Sequence, residues 1–281
     1  MEKLAPFVPA HWLTEHATDV IILDVRHALD GSITKRDYLN GHIPGAVYAD
    51  FPNLSGGESS LADGRNPLPD AAHFATELGA LGVGDDSTIV VYDQGGSGAA
   101  ARVVYMLRSL GDNATVLDGG LANWDGPLDT TDVTPTPTTR KVKPWPSERF
   151  VDADELTHLL NTSNTVLFDA RPQDRYAGDN ETVDSRPGHI PSAINLPVTA
   201  HLTGGVTKDT DTLKDEYAAH GTFTADNVIS YCGSGVAACY NLLVLEQLGV
   251  KGRLYTGSWS QWSADPNRPG AIGSEPGTWS K

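Results

Sequence analysis

Cys232 follows the run Val228-Ile229-Ser230-Tyr231 and precedes Gly233-Ser234-Gly235-Val236-Ala237-Ala238. Apolar β-formers lead into the cysteine, a short Gly/Ser loop follows it, and Cys239 to Leu243 have helical character. The pattern predicts a thiol at the turn from a buried strand into the start of a helix. Backbone N–H groups and the positive end of the helix dipole favour a thiolate there. The glycines let successive amides curl into an anion-binding concavity. This is the local chemistry of a nucleophilic cysteine. The competing reading is a small buried hydrophobe, and it suits Cys239, which lies inside the helical pattern with no loop of its own. The two thiols are not expected to bridge. Seven helical residues separate Cα atoms by about 10 Å, beyond the limit of about 7 Å for a disulfide.

Several thiolate chemistries can be weighed on spacing. A Cys-X5-Arg phosphatase loop needs an arginine to clamp phosphate, and Ala238 stands at that position. A Cys-X-X-Cys redox centre is absent, because Gly235 is the third residue on. A Cys-His protease needs an imidazole partner that spacing alone does not place.

The elements that must hold the thiol occur twice. Leu23-Asp24-Val25-Arg26 with Gly41-His42-Ile43-Pro44-Gly45-Ala46 recurs as Phe168-Asp169-Ala170-Arg171 with Gly188-His189-Ile190-Pro191-Ser192-Ala193. Ile89-Val90-Val91-Tyr92 recurs as Val228 to Tyr231, and Leu117 to Trp124 loosely as Leu254 to Trp262. A domain-sized period indicates duplication rather than a solenoid. The expected organisation is a domain over 1–129, a Pro/Thr-rich extended linker over 130–147 and a second domain over 148–281. Both domains are large enough to bury a core. His42 and His189 occur in both copies, so they read as structural.

Within each copy, short apolar strands alternate with helical stretches such as Ala71 to Leu78 and Ala99 to Leu110. The expected fold is α/β, each domain a parallel sheet with helices on both faces. Loops at the carboxyl ends of strands carry the chemistry in such folds, and Cys232 falls there. In the first copy Asp93 stands where Cys232 does, followed by Gly95-Gly96-Ser97-Gly98. The motif Gly96-X-Gly98-X-X-Ala101 mimics a dinucleotide fingerprint. It does not open the first βα unit, however, and the repeat explains the same residues as a degenerate cysteine loop.

The Cys232 loop, the duplicated Asp-X-Arg and Gly-His-Ile-Pro landmarks and the tail Gly257-Ser258-Trp259-Ser260-Gln261-Trp262 resemble the rhodanese (sulfurtransferase) superfamily, over nearly the whole chain. The resemblance implies tandem rhodanese-like domains and a persulfide on Cys232, cradled by the amides of residues 233 to 238. The first copy would be catalytically inactive, since the Asp93 carboxylate cannot carry transferable sulfur. Cys-Gly-Ser-Gly-Val is similar to the loop of 3-mercaptopyruvate sulfurtransferases; thiosulfate-using rhodaneses more often place cations where Gly233 and Ser234 stand. Arg175 matches an arginine that grips the donor, and Arg186 is the candidate for a second. Arg171 recurs as Arg26 and reads as structural. Asp169, Asp174, Asp179 and Glu181 compete for these arginines. Ser234 matches a serine that relays protons with a histidine and an aspartate. Asn66 stands at the histidine position, and Asp50 lies near the aspartate position. An asparagine cannot relay protons as imidazole does.

The expected catalytic residues are therefore Cys232 and Ser234. Arg175, Arg186, Gly233, Gly235, Val236 and Ala237 bind the donor or its sulfur. Expected partners are a small anionic sulfur donor and a thiol acceptor (a thioredoxin-like protein among the candidates) or cyanide. Thiosulfate is the alternative donor, and a non-catalytic sulfur carrier or partner-binding module is the alternative of another class. No cofactor or metal is expected. Formal charge is −16, which disfavours nucleic acid and anionic membranes. Residues 1–140 carry 8 basic and 19 acidic side chains, and residues 141–281 carry 12 and 17, so the half with the cysteine is the less acidic. Val20 to Leu23 is too short to span a membrane. The start, Met1-Glu2-Lys3-Leu4-Ala5-Pro6, lacks the features of a secretory signal. With only two cysteines, the expected location is the cytoplasm.

Overall fold

The structure is a computed structural model that describes residues 2–96 and 98–280. Ser97, in the first copy's loop, lies outside the described residues. Contacts divide the chain into two units. The first comprises the chain up to Gly57, Pro69–Trp145 and Leu202–Thr207; the second comprises Glu58–Leu68, Pro146–His201 and the chain from Lys208.

The first unit holds β1 (Phe7–Val8), β2 (Ile21–Asp24), β3 (Val47–Tyr48), β4 (Thr88–Tyr92) and β5 (Asn113–Leu117), in the order β1-β5-β4-β2-β3. The second holds β6 (Phe150–Val151), β7 (Thr165–Asp169) and β8 (Ile194–Asn195). The hairpin β9 (Leu202–Thr203) and β10 (Val206–Thr207) belongs to the first unit, and β11 (Asn227–Tyr231) and β12 (Arg253–Tyr255) complete the second sheet, in the order β6-β12-β11-β7-β8. Every pairing in the two five-stranded sheets is parallel. The strand orders are the same, as duplication requires. Parallel neighbours cannot be joined by a tight turn, so a helix follows each central strand: Ala99–Ser109 after β4 and Ala238–Gln247 after β11. All five residues of β4 are buried, which is why its sequence reads as an unbroken apolar run rather than an alternating one.

The landmarks recur as structure. Asp24 pairs with Arg26 and Asp169 with Arg171, all four buried. Each arginine also donates to a carbonyl ahead of the Gly-His-Ile-Pro turn: Arg26 to Gly41 at 2.9 Å, Arg171 to Gly188 at 2.7 Å. His42 and His189 stack on Tyr38 and Tyr176 with centroids 3.8 and 3.7 Å apart. Their Nδ1 atoms bond the carbonyls of those tyrosines. These histidines are core furniture, as their duplication suggested.

The boundaries differ from the sequence expectation in two places. Residues 130–145 are not a free-standing linker but part of the first unit. Arg140 is buried in an ion pair with Asp112, Thr138 N–H donates to Gly79 O at 2.9 Å, and Trp145 Nε1 donates to Pro69 O at 2.8 Å. Proline and threonine prevent a helix there, but an extended chain still anchors through its side chains. Glu58–Leu68, expected in the first domain, belongs to the second unit. Arg65 N–H donates to Ser260 Oγ at 3.1 Å, and Gln261 donates to Ala62 O. Among the described residues, no helix is long and apolar enough to cross a membrane, and no group of three or more His, Cys, Asp or Glu is placed to hold a metal ion.

Candidate active site

Cys232 immediately follows β11, and its loop runs to Ala237 before the helix Ala238–Gln247 begins. Cys232 and Ser234 are 3 % and 6 % exposed. Gly235 takes a left-handed φ of 75°, which a residue with a Cβ adopts only at a cost. The helical ladder opens with Cys239 N–H to Val236 O and Tyr240 N–H to Ala237 O. Amides ahead of that point have no intrahelical carbonyl and can serve an anion.

The segment from Gly257 braces the loop. Ser258 Oγ accepts from Cys232 N–H at 3.2 Å and donates to Tyr255 O at 2.9 Å. Trp259 and Ser260 N–H donate to the carbonyls of Cys232 and Gly233. Ser258 achieves this at φ 53°, a strained setting for a non-glycine residue. Cys239 is a free, buried thiol that donates to Gly235 O at 3.3 Å. Cys232 is free as well.

The first unit contains an internal comparison. Its loop has the same length, Asp93 to Gly98 against Cys232 to Ala237. The Asp93 carboxylate accepts from Gly95 N–H at 2.8 Å and Ala100 N–H at 3.0 Å. A carboxyl group thus accepts from the amides of this loop in the first unit, on the residue that corresponds in sequence to Cys232.

Beside Cys232 lies a charged cluster. Arg171 is held above its ordinary pKa: burial pushes it down, but the Asp169 carboxylate outweighs that. Glu181, itself 1 % exposed, reaches both Arg171 and Arg175. Arg175 also pairs with Asp184 at 2.8 Å, and Asp184 pairs on its other oxygen with Arg65. Burial, and then the charge of Arg175, hold Arg65 below its ordinary pKa; the charges of Cys232 and Glu181 oppose this. A Cβ built on Gly233 would stand 2.8 Å from Arg65 Nη2 and 3.5 Å from Arg175 Nη1. A side chain at this position would push the Arg65 guanidinium aside. Asn66 Nδ2 donates to Ser234 Oγ at 2.9 Å.

The structure thus places Arg175 beside Gly233, between Cys232 and Ser234 in the chain, with Gly235, Val236 and Ala237 completing the loop. It does not bring Arg186. That guanidinium donates to the carbonyls of Trp262, Asp265 and Arg268 and lies over the Trp259 ring at 5.6 Å. Its Nη2 is taken up by these carbonyls, and among the described residues no hydrogen bond or ion pair joins it to the Cys232 loop. Arg65 and Asp184 were not legible as site residues. The available signal was that Arg65 adjoins Asn66, and that Asp184 lies in the arginine-rich segment before Gly188.

Two sheets of one strand order, with a cysteine loop after the central strand of the second and an aspartate at its equivalent in the first, define a tandem rhodanese-fold protein. The family described as Rhodanese-like domain matches residues 10–126 and 152–265. The chain is 40 % identical over 270 residues to a Pseudomonas aeruginosa protein named a probable 3-mercaptopyruvate sulfurtransferase, covering 91 % of this chain and 93 % of that one. It is 35 % identical to a Mycobacterium tuberculosis protein, SseB, provisionally named a thiosulfate sulfurtransferase, covering 89 % and 90 %. The crystal structure of Escherichia coli SseA, from a study of 3-mercaptopyruvate enzymes, superposes with TM-score 0.79 at 35 % identity, over 92 % of this chain and all of that one. The chain belongs to the rhodanese family, in its two-domain sulfurtransferase branch.

Proposed function

We propose that the protein transfers sulfur from 3-mercaptopyruvate through a persulfide on Cys232. The Cys232 thiolate attacks the donor sulfur. The new S–S bond forms as the donor's C–S bond breaks, and the electron pair leaves as the enolate of pyruvate, which takes a proton to give pyruvate. Loop amides hold the negative sulfur, as the equivalent loop holds Asp93, in the manner of an oxyanion hole. Arg175 orients the donor carboxylate, for which the planar guanidinium is suited. An acceptor thiolate, free or on a thioredoxin-like protein, or cyanide then attacks the outer sulfur and releases the Cys232 thiolate. The two half-reactions give ping-pong kinetics.

The observation that carries the donor assignment is the Asn66–Ser234 bond. Because Asn66 donates to Oγ, the Ser234 proton is left for another acceptor, and a carbonyl oxygen that becomes an enolate is such an acceptor. Thiosulfate has no such carbon centre. A second reading, thiosulfate as donor, is favoured by Arg65, which lays a cation across Gly233 from outside the loop.

The test is to mix the reduced protein with each donor separately and weigh the intact chain, with Cys232→Ser as control. Mass gain of one sulfur with pyruvate release faster than sulfite release is expected. Faster sulfite release would transfer the assignment to thiosulfate. No gain with either donor would overturn both readings.

A further inference from the structure

We infer that Arg65 is the second donor-binding cation, paired with Arg175, and that Asp184 is the positioning residue that holds the two guanidinium groups together at Cys232. The inference rests on the reading of Cys232 as the sulfur carrier for an anionic donor.

Two guanidinium groups that both approach one glycine repel each other unless a counter-charge lies between them. Asp184 is that counter-charge. Its side chain is 1 % exposed, and its two oxygens are divided between the two arginines. The arginines themselves keep an open side: Arg65 is 27 % exposed and Arg175 18 %. Their hydrogen bonds say which nitrogens are spoken for. Arg175 uses Nε and Nη2 on Glu181 and Asp184, and Arg65 uses Nη1 on Asp184. Among the described residues, the side-chain hydrogen bonds of Arg175 and Arg65 use neither Arg175 Nη1 nor Arg65 Nη2, and Arg65 Nε is buried without a partner. Those two Nη atoms lie 2.8 and 3.5 Å from the Cβ position of Gly233, with Asp184 Oδ2 also 3.5 Å from it, one residue from the thiol. Two N–H-bearing nitrogens from two cations therefore converge beside Cys232, the arrangement that takes a carboxylate one oxygen to each.

The residue that the family resemblance offered for this role, Arg186, places its Nη2 on three carbonyls and its guanidinium over one indole face. Arg65 supplies the second charge instead, from a segment far away in the chain but within the same unit.

The test is steady-state kinetics of pyruvate formation for the wild type, Arg65→Gln, Arg65→Lys, Arg186→Gln, Asp184→Asn and Asp184→Glu, each with a thermal melt. Arg65→Gln should raise KM for 3-mercaptopyruvate about tenfold or more, the worth of one charged hydrogen bond, with kcat changed by less than about threefold. Arg65→Lys should recover part of the loss. Asp184→Asn should raise KM in the same way and Asp184→Glu should restore it, a split that a purely structural role would not give. Arg186→Gln should lower the melting point and leave KM unchanged. An unchanged KM in Arg65→Gln, or a rise confined to Arg186→Gln, overturns the inference. If the wild type releases no pyruvate, the donor reading fails by itself, and the same series run on thiosulfate decides Arg65. If the wild type takes sulfur from neither donor, the inference falls with the reading.

Discussion

Asn66 Nδ2 donates to Ser234 Oγ at 2.9 Å, so an amide stands where an imidazole would make the serine part of a proton relay. An amide fixes the hydroxyl's orientation and does not titrate. On the proposed function, Ser234 donates a hydrogen bond to the developing enolate, and the enolate's proton comes from elsewhere. Removing a donor of this kind costs about 10²–10³ in kcat, so Ser234→Ala should lose that much with 3-mercaptopyruvate. Asn66→Ala, which frees the rotor but keeps the hydroxyl, should lose less, about tenfold. Asn66→His should add to the kcat profile an ionisation near the ordinary imidazole value of about 6.5 that the wild type lacks. Profiles of pyruvate release against pH check this; superimposable wild-type and Asn66→His profiles would count against it.

The Asp169–Arg171 pair serves the fold rather than the donor. Both side chains are at most 1 % exposed, the guanidinium reaches Gly188 O at 2.7 Å, and Glu181 lies 3.3 Å away. Removing one partner of such a pair strands a buried charge, at about 3–5 kcal/mol. Arg171→Ala should lower stability by that amount, and Arg26→Ala should do the same in the first unit, where Arg26 pairs with Asp24. Lys35–Asp132 is half exposed on both sides, and Lys35→Ala should change stability by less than about 1 kcal/mol. Denaturant midpoints for the three variants separate these cases.

Asp93 stands in the first unit at the place that Cys232 holds in the second. Its carboxylate bonds the amides of Gly95 and Ala100, and it is 4 % exposed. Asp93→Ala leaves those amides facing a void, at about 1–3 kcal/mol, without changing the rate of sulfur uptake at Cys232. Asp93→Asn keeps one acceptor oxygen and should cost about half as much. Urea unfolding together with the persulfide mass shift reads both effects; a loss of sulfur uptake in Asp93→Asn would show that this loop takes part in the chemistry.

What was legible in the chain was local or repeated. Val228 to Ala238 carries its own strand, turn and helix start, so the place of Cys232 could be read from a short window. Asp-X-Arg and Gly-His-Ile-Pro could be read as structural because they occur twice. Long side chains with distant partners could not. Arg65 meets Asp184 across 119 residues, and nothing near residue 65 announces that its segment packs in the second unit. Arg186 was offered by the family resemblance, but a resemblance does not say which way a guanidinium turns, and its Nη2 meets the carbonyls of Trp262, Asp265 and Arg268. The segment 130–145 was legible as extended, while its anchoring through Arg140 depends on the buried Asp112.

Tyr92 and Tyr231, equivalent residues at the ends of β4 and β11, link the fold to alkaline pH. Tyr92 OH donates to Asp24 Oδ2 at 2.7 Å, and each tyrosine OH accepts from an isoleucine amide of a Gly-His-Ile-Pro turn, Ile43 or Ile190. Burial first, and the charges of Asp24 and Asp169 next, raise both phenols above their ordinary value. The unfolded chain, with tyrosines near pKa 10, therefore gives up these protons at a lower pH than the folded chain. A group raised on folding contributes stability that is present below the unfolded value and is lost as pH climbs toward the folded one. The urea midpoint should hold from about pH 7 to 9 and fall above about pH 10. Tyr92→Phe and Tyr231→Phe should each flatten that fall while lowering the midpoint at neutral pH, because the phenol's hydrogen bonds are gone. Tyrosinate absorbance should appear together with unfolding. If all nine tyrosines ionised near their ordinary value while the near-ultraviolet circular dichroism of the fold stayed intact, the buried phenols would not be coupled to stability in this way.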